Sequence, residues 1–179
     1  MTRSRARLTG AVYLLYFLTA IFAVSLVGHV PVAYSDAANL IANAGYVILT
    51  LLLYQLFRPV NRNIAALAVA ISIVGCIVQS LSLFHLTAPH SALPIFGCFN
   101  LAIGYLIFRS TFLPRALGIL MALSGLAWLT VLSPELLKPV ETYVEVIGVT
   151  AEGSLMMWLL VIGVNVQRWN EQAGTTSRV

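Results

Sequence analysis

Apolar runs recur along the chain with short polar breaks between them, and each run approaches the ~20 residues that a helix needs to cross a bilayer. All seven prolines, Pro31, Pro59, Pro89, Pro94, Pro114, Pro134 and Pro139, fall where the hydropathy drops. Proline lacks the backbone N–H that a helix interior needs, so these positions mark connections. Reading between them predicts six helices, at about 8–28, 38–57, 64–86, 93–109, 116–133 and 140–166, with ends good to roughly 2 to 4 residues. The fourth is the shortest. The fold class expected is all-α: one polytopic domain over 1–166 with six transmembrane helices, followed by a polar tail at 167–179 that reads as a frayed helix end and then disorder.

Charge orients this pattern. Arg3, Arg5 and Arg7 precede the first helix, Arg58 and Arg62 separate the second and third, Arg109 and Arg115 the fourth and fifth, and Arg168 and Arg178 follow the sixth. Nine of the ten basic residues thus share one side, and Lys138 stands opposite with Asp36, Glu135 and Glu141. By the positive-inside rule both termini are expected in the cytoplasm. The basic start before Leu8 to Val27 has the look of a signal peptide, but the apolar run exceeds a usual h-region and reads as a retained first helix.

Composition supports the membrane reading. The chain has 179 residues, 60% hydrophobic and 9% charged, whereas soluble domains carry roughly a quarter charged residues. A net charge of +4 from scattered arginines lacks the clustered basic face of a nucleic-acid binder. Cys76 and Cys98 lie in apolar segments without metal-ligand spacing and read as small buried residues.

The second and fourth helices both end in Tyr-x-x-Phe-Arg, at Tyr54, Phe57, Arg58 and at Tyr105, Phe108, Arg109. Each is followed by a proline turn, another arginine and a helix with a central glycine, Gly75 or Gly125. Two readings stand side by side: a parallel repeat of two hairpins, or an interfacial belt in which aromatic and basic residues are independently favoured.

Few strongly polar side chains interrupt the spans: Asn43, Gln79, Asn100, Glu145 and Glu152. Counting ~1.5 Å per residue from the helix ends puts Asn100 and Glu152 near the midplane and the others in the outer half. Glu141, Glu145 and Glu152 follow one helical stripe, with Gly148 between the deeper two leaving room for a helix or water. An outward-facing polar vestibule floored by Glu152 is expected. Its carboxyl group has two states open to it, neutral and donating a hydrogen bond, or ionised beside water, a cation or a protonated histidine. These polar residues read either as interhelical glue or as a site for a small ligand, proton or cation. His29, His85, His90 and Glu141, together with Glu145, are the candidates for an outer metal site, although no pair has the spacing of His-x-x-x-His.

Catalytic signatures are weak. "ALSG", Ala122 to Gly125, lacks the first glycine of the rhomboid-protease motif, and no mid-helix histidine could act as a base. A membrane serine of this kind reads as a helix contact.

"RARLTGAVYLLYFLTAIFA", "LLLYQLFRPVNRNIAAL", "LAIGYLIFRSTFLPRALGILMALSGLAWL" and "AEGSLMMWLLVIGV" together resemble bacterial domain-of-unknown-function family 4386. The "FLPRALG" block and the glutamate-bearing last helix are its most specific carriers. The resemblance implies a compact six-helix bundle in a bacterial cytoplasmic (inner) membrane, with Glu152 at a place where members look similar, and it supplies no activity. One departure is a short connection between the first two helices.

The function expected is non-enzymatic: an accessory subunit of a membrane complex, or a binder of an apolar or amphipathic ligand. Alternatives are a small-solute or proton-coupled transporter using Glu152, and an intramembrane enzyme. No motif names a cofactor. Expected partners are the lipid bilayer, other membrane subunits or a second copy of the chain, and not nucleic acid.

Overall fold

A computed structural model describes residues 3–26, 29–88 and 91–176. His90, one of the metal candidates, lies outside the described residues. The chain forms helices α1 (Arg3–Leu26), α2 (Val32–Phe57), α3 (Arg62–Leu83), α4 (Leu93–Arg109), α5 (Arg115–Leu129), a short α6 (Pro134–Leu137), α7 (Glu141–Met157) and α8 (Val166–Thr176). Among the described residues, five helices are long and apolar enough to cross a membrane, and α4 is a shorter apolar helix. Its 17 residues span ~25 Å at 1.5 Å each. The protein is an all-α membrane protein.

Local chemistry sets these ends. Pro31 precedes α2 and Pro114 precedes α5, while the Asn61 side chain accepts the Ile64 N–H at 3.0 Å and opens α3. That helix stops because His85 adopts a left-handed conformation, φ 58°. Its N–H bonds the Ser82 carbonyl and the Leu86 N–H bonds the Leu81 carbonyl, the paired pattern of a Schellman termination.

Each span packs on the next in sequence, and α7 with the turn that follows it returns to α1. The closest pair is α4 with α5. A Cβ placed on Gly104 would stand 2.8 Å from the Ala122 nitrogen and the Gly118 carbonyl oxygen, and one on Gly118 would meet the Gly104 oxygen and Phe108 nitrogen at the same distance. Gly97 and Gly125 repeat the contact one heptad along. Glycine here removes the atoms that would hold the backbones apart, as membrane helices need when burial of apolar surface supplies no drive for association.

The shared Tyr-x-x-Phe-Arg endings sit in unlike surroundings. Phe57 is 0% exposed, whereas Phe108 is 44% exposed and lies beneath the Arg115 guanidinium, 5.6 Å from its ring centre. Gly125 contacts α4 within its own hairpin, whereas Gly75 receives Phe96 from outside its hairpin. At these positions the two hairpins pack differently.

Two expectations need correction at the basic end. The last span is not one helix to residue 166: after Met157 it widens into a π turn, Trp158–Ile162, and breaks at Gly163 with φ 76°, a conformation that glycine adopts without a Cβ penalty. The polar segment after it is not a loose tail as far as Thr176, but α8. Its amphipathic pattern puts Trp169 into the core, and the indole N–H donates to the Leu56 carbonyl at 2.9 Å. Arg168 reaches the Thr111 carbonyl, and Gln172 accepts from the Thr111 N–H. Thus α8 fastens the α2–α3 and α4–α5 turns together.

Candidate functional site

Polar groups within the bundle are paired across helices. Asn43 donates to Ser80 at 3.1 Å and Thr50 shares a 2.8 Å hydrogen bond with Ser72, both between α2 and α3. At the level expected for Asn100 and Glu152, four helices converge: α1, α4, α5 and α7. Asn100 Nδ2 donates to Ser124 Oγ at 3.1 Å and to Glu152 Oε1 at 3.2 Å, and Tyr13 Oη donates to Glu152 Oε2 at 3.2 Å. Both oxygens of Glu152 are thereby held, one from α4 and one from α1. Asn100 Oδ1 is buried with no hydrogen-bond partner, a cost of about 1–3 kcal/mol when a polar atom loses water without replacement.

Above this junction α1 and α7 enclose a cavity of about 420 Å³. Near the basic end the helices touch, since a Cβ on Gly10 would run into the Leu160 backbone. Beyond Tyr13 they part. The edges of the gap are Ile21 and Val24 on α1 and Val149 on α7, all aliphatic and exposed. Glu152 forms the floor and Gln79 is the other strongly polar lining side chain.

Aromatic rings make the walls. Tyr16 and Tyr46 stack at a tilt with centroids 4.7 Å apart, and Tyr46 meets Phe96 edge-on at 5.2 Å, within the ~4.5–7 Å range of favourable ring pairs. Two of the wall rings rest on glycines: Phe96 lies over Gly75 and the Trp128 indole over Gly148. A side chain at either glycine would push its ring into the cavity.

The expected site residues divide accordingly. Glu152 and Asn100 meet, and Gln79 shares the cavity. Asn43 belongs to the α2–α3 contact, and Glu145 and Glu141 are exposed outside the cavity lining. The vestibule is consequently aromatic rather than polar, and the space expected at Gly148 holds the Trp128 ring. Among the described residues no three His, Cys, Asp or Glu side chains converge to hold a metal ion; His85 is exposed and terminates α3. The residue that the sequence reading passed over is Tyr13, which donates to Glu152 from α1. Tyr13 lies ten residues past Arg3, the start of α1, ~15 Å along the axis at 1.5 Å per residue, and that depth was the available signal that the hydroxyl reaches inward.

The model of the family described as Domain of unknown function (DUF4386) matches residues 35–93 and 85–163. The chain belongs to DUF4386. No curated protein and no solved structure matches it. In this DUF4386 protein the matched stretches contain Tyr46, Gln79, Asn100, Ser124 and Glu152, while Tyr13 and Tyr16 precede them.

The bonds at the junction differ in what their loss exposes. Tyr13→Phe removes one donor from Glu152 and is expected to cost about 0.6–1.7 kcal/mol, the range for interhelical hydrogen bonds in membranes. Asn100→Leu strips partners from both Ser124 and Glu152, with an expected cost of about 1–3 kcal/mol. Thermal unfolding in detergent gives the ranking, and a larger loss for Tyr13→Phe would refute it.

Proposed function

We propose that this protein binds an amphipathic small molecule that enters sideways from the bilayer, lays its apolar body between α1 and α7, and hydrogen-bonds its polar end to Glu152. The reading rests on one observation: a cavity of about 420 Å³ has a carboxyl group at its floor and exposed aliphatic side chains at its edges. That volume lies within the ~300–1,000 Å³ of ordinary small-molecule sites. Water-soluble ligands have no reason to cross such edges, whereas a molecule already dissolved in lipid meets them directly.

Toward the basic end the packing is continuous. Phe57, Leu159 and Trp169 are buried there and α8 lies across the turns. A cavity open at one side is suited to holding a molecule, and this favours binding over conduction through the bundle. By the asymmetry of its arginines, the basic end faces the cytoplasm of a bacterial cell and the cavity occupies the outer half of the inner membrane.

Ala20 lines the cavity, so Ala20→Trp should fill it while leaving the Tyr13–Glu152–Asn100 junction intact. Wild type purified from native membranes in mild detergent is expected to retain a small amphipathic molecule, detected by mass spectrometry, that Ala20→Trp loses. Identical small-molecule profiles from the two folded proteins would sink the proposal.

A further inference from the structure

The partners of Glu152 are neutral. Tyr13 and Asn100 supply hydrogen-bond donors and no positive charge, and no Lys, Arg or His is among the described residues lining the cavity. The walls instead are lined by the aromatic side chains of Tyr16, Phe17, Tyr46, Phe96 and Trp128. Aromatic faces attract cations through their quadrupole and repel anions. A carboxyl group at this depth without a protein cation either holds a proton or pairs with a countercharge from elsewhere.

We infer that the ligand is a lipophilic cation, an amine or quaternary centre on an apolar body, whose positive end pairs with Glu152 inside the aromatic walls. This rests on the reading of the cavity as a binding site. Each part of the lining then has a task. Glu152 supplies the charge, Tyr13 and Asn100 hold the carboxylate oxygens from the far side, and the rings replace the hydration that the cation leaves behind. Ile21, Val24 and Val149 at the edges pass an apolar body and no strongly hydrated ion, so sodium or a free polyamine is not an occupant.

The test uses two near-isosteric ions of opposite charge, tetraphenylphosphonium and tetraphenylborate, titrated calorimetrically against the full chain in lipid nanodiscs. Wild type should bind tetraphenylphosphonium saturably and show no saturable binding of tetraphenylborate. Glu152→Gln keeps an acceptor oxygen for Asn100 and offers its N–H to the Tyr13 hydroxyl, which can accept, and it should weaken the cation by about tenfold or more, as expected for losing a desolvated charge pair. Equal binding of both ions to wild type overturns the charge assignment, and so does unchanged affinity in folded Glu152→Gln. The comparison of the two ions on wild type needs no variant, so a misfolded mutant cannot leave the question open. Ala20→Trp separates the two levels of the argument: if it abolishes binding of both ions alike, the cavity is a binding site without charge preference. If it changes neither, and native membranes yield no displaced molecule, the cavity reading itself falls.

Discussion

Gly104→Leu should prevent the bundle from assembling. The Cβ alone would come within 2.8 Å of backbone atoms of Ala122 and Gly118, and backbone cannot rotate aside as a side chain does. Even Gly104→Ala forces α4 and α5 apart and is expected to cost about 1–3 kcal/mol, the usual penalty of an overpacked interior. The leucine adds three further carbons at the same point. Fluorescence-detected gel filtration of a tagged chain would show wild type as a single peak, the alanine variant as a peak of lowered thermal midpoint, and the leucine variant as aggregate. Gly153 is the matched control, because a Cβ there meets nothing within 4 Å. Gly153→Ala should fold as well as wild type. If Gly104 and Gly153 tolerate the same substitutions, close α4–α5 contact is not what holds these helices.

The second large effect belongs to Trp169. Truncating a buried tryptophan to alanine typically costs about 3–5 kcal/mol, and here it also leaves the Leu56 carbonyl without its indole donor. With that anchor gone α8 should lift from the α2–α3 and α4–α5 turns, and trypsin should cut at Arg168 under conditions that spare wild type. Trp169→Phe retains most of the packing and loses the hydrogen bond, so its cost should be near 1 kcal/mol and its tail should stay protected. Equal trypsin sensitivity of wild type and Trp169→Ala would mean that α8 is not fastened by this residue.

Much of the architecture was legible because the bilayer constrains so strongly: a helix must be apolar for its full crossing, and proline and arginine mark the ends. Depth was legible too, since rise per residue is fixed, and Asn100 and Glu152 meet as counting placed them. What was hidden depends on neighbours. Glu145 shares a helical stripe with Glu152, yet at its level α1 has diverged from α7 and the side chain is exposed. Tyr13 escaped notice because the sequence does not say which face of α1 it occupies, and only the position of Glu152 opposite decides that. The α8 helix was obscured by its composition. Its apolar stripe amounts to Val166, Trp169 and Ala173 in an otherwise polar segment, and a tryptophan buried against a distant carbonyl is a tertiary fact.

The Tyr13–Glu152 bond joins residues 139 positions apart. At ~5–20 residues per second of synthesis, roughly 7 to 28 s separate the appearance of the hydroxyl from that of its carboxylate. During this interval α1 sits in the membrane with Gly10 and Tyr13 uncovered, and the seam is closed by the last span to arrive. A chain that stops before α7 therefore has an open flank along the very surface that the finished protein buries.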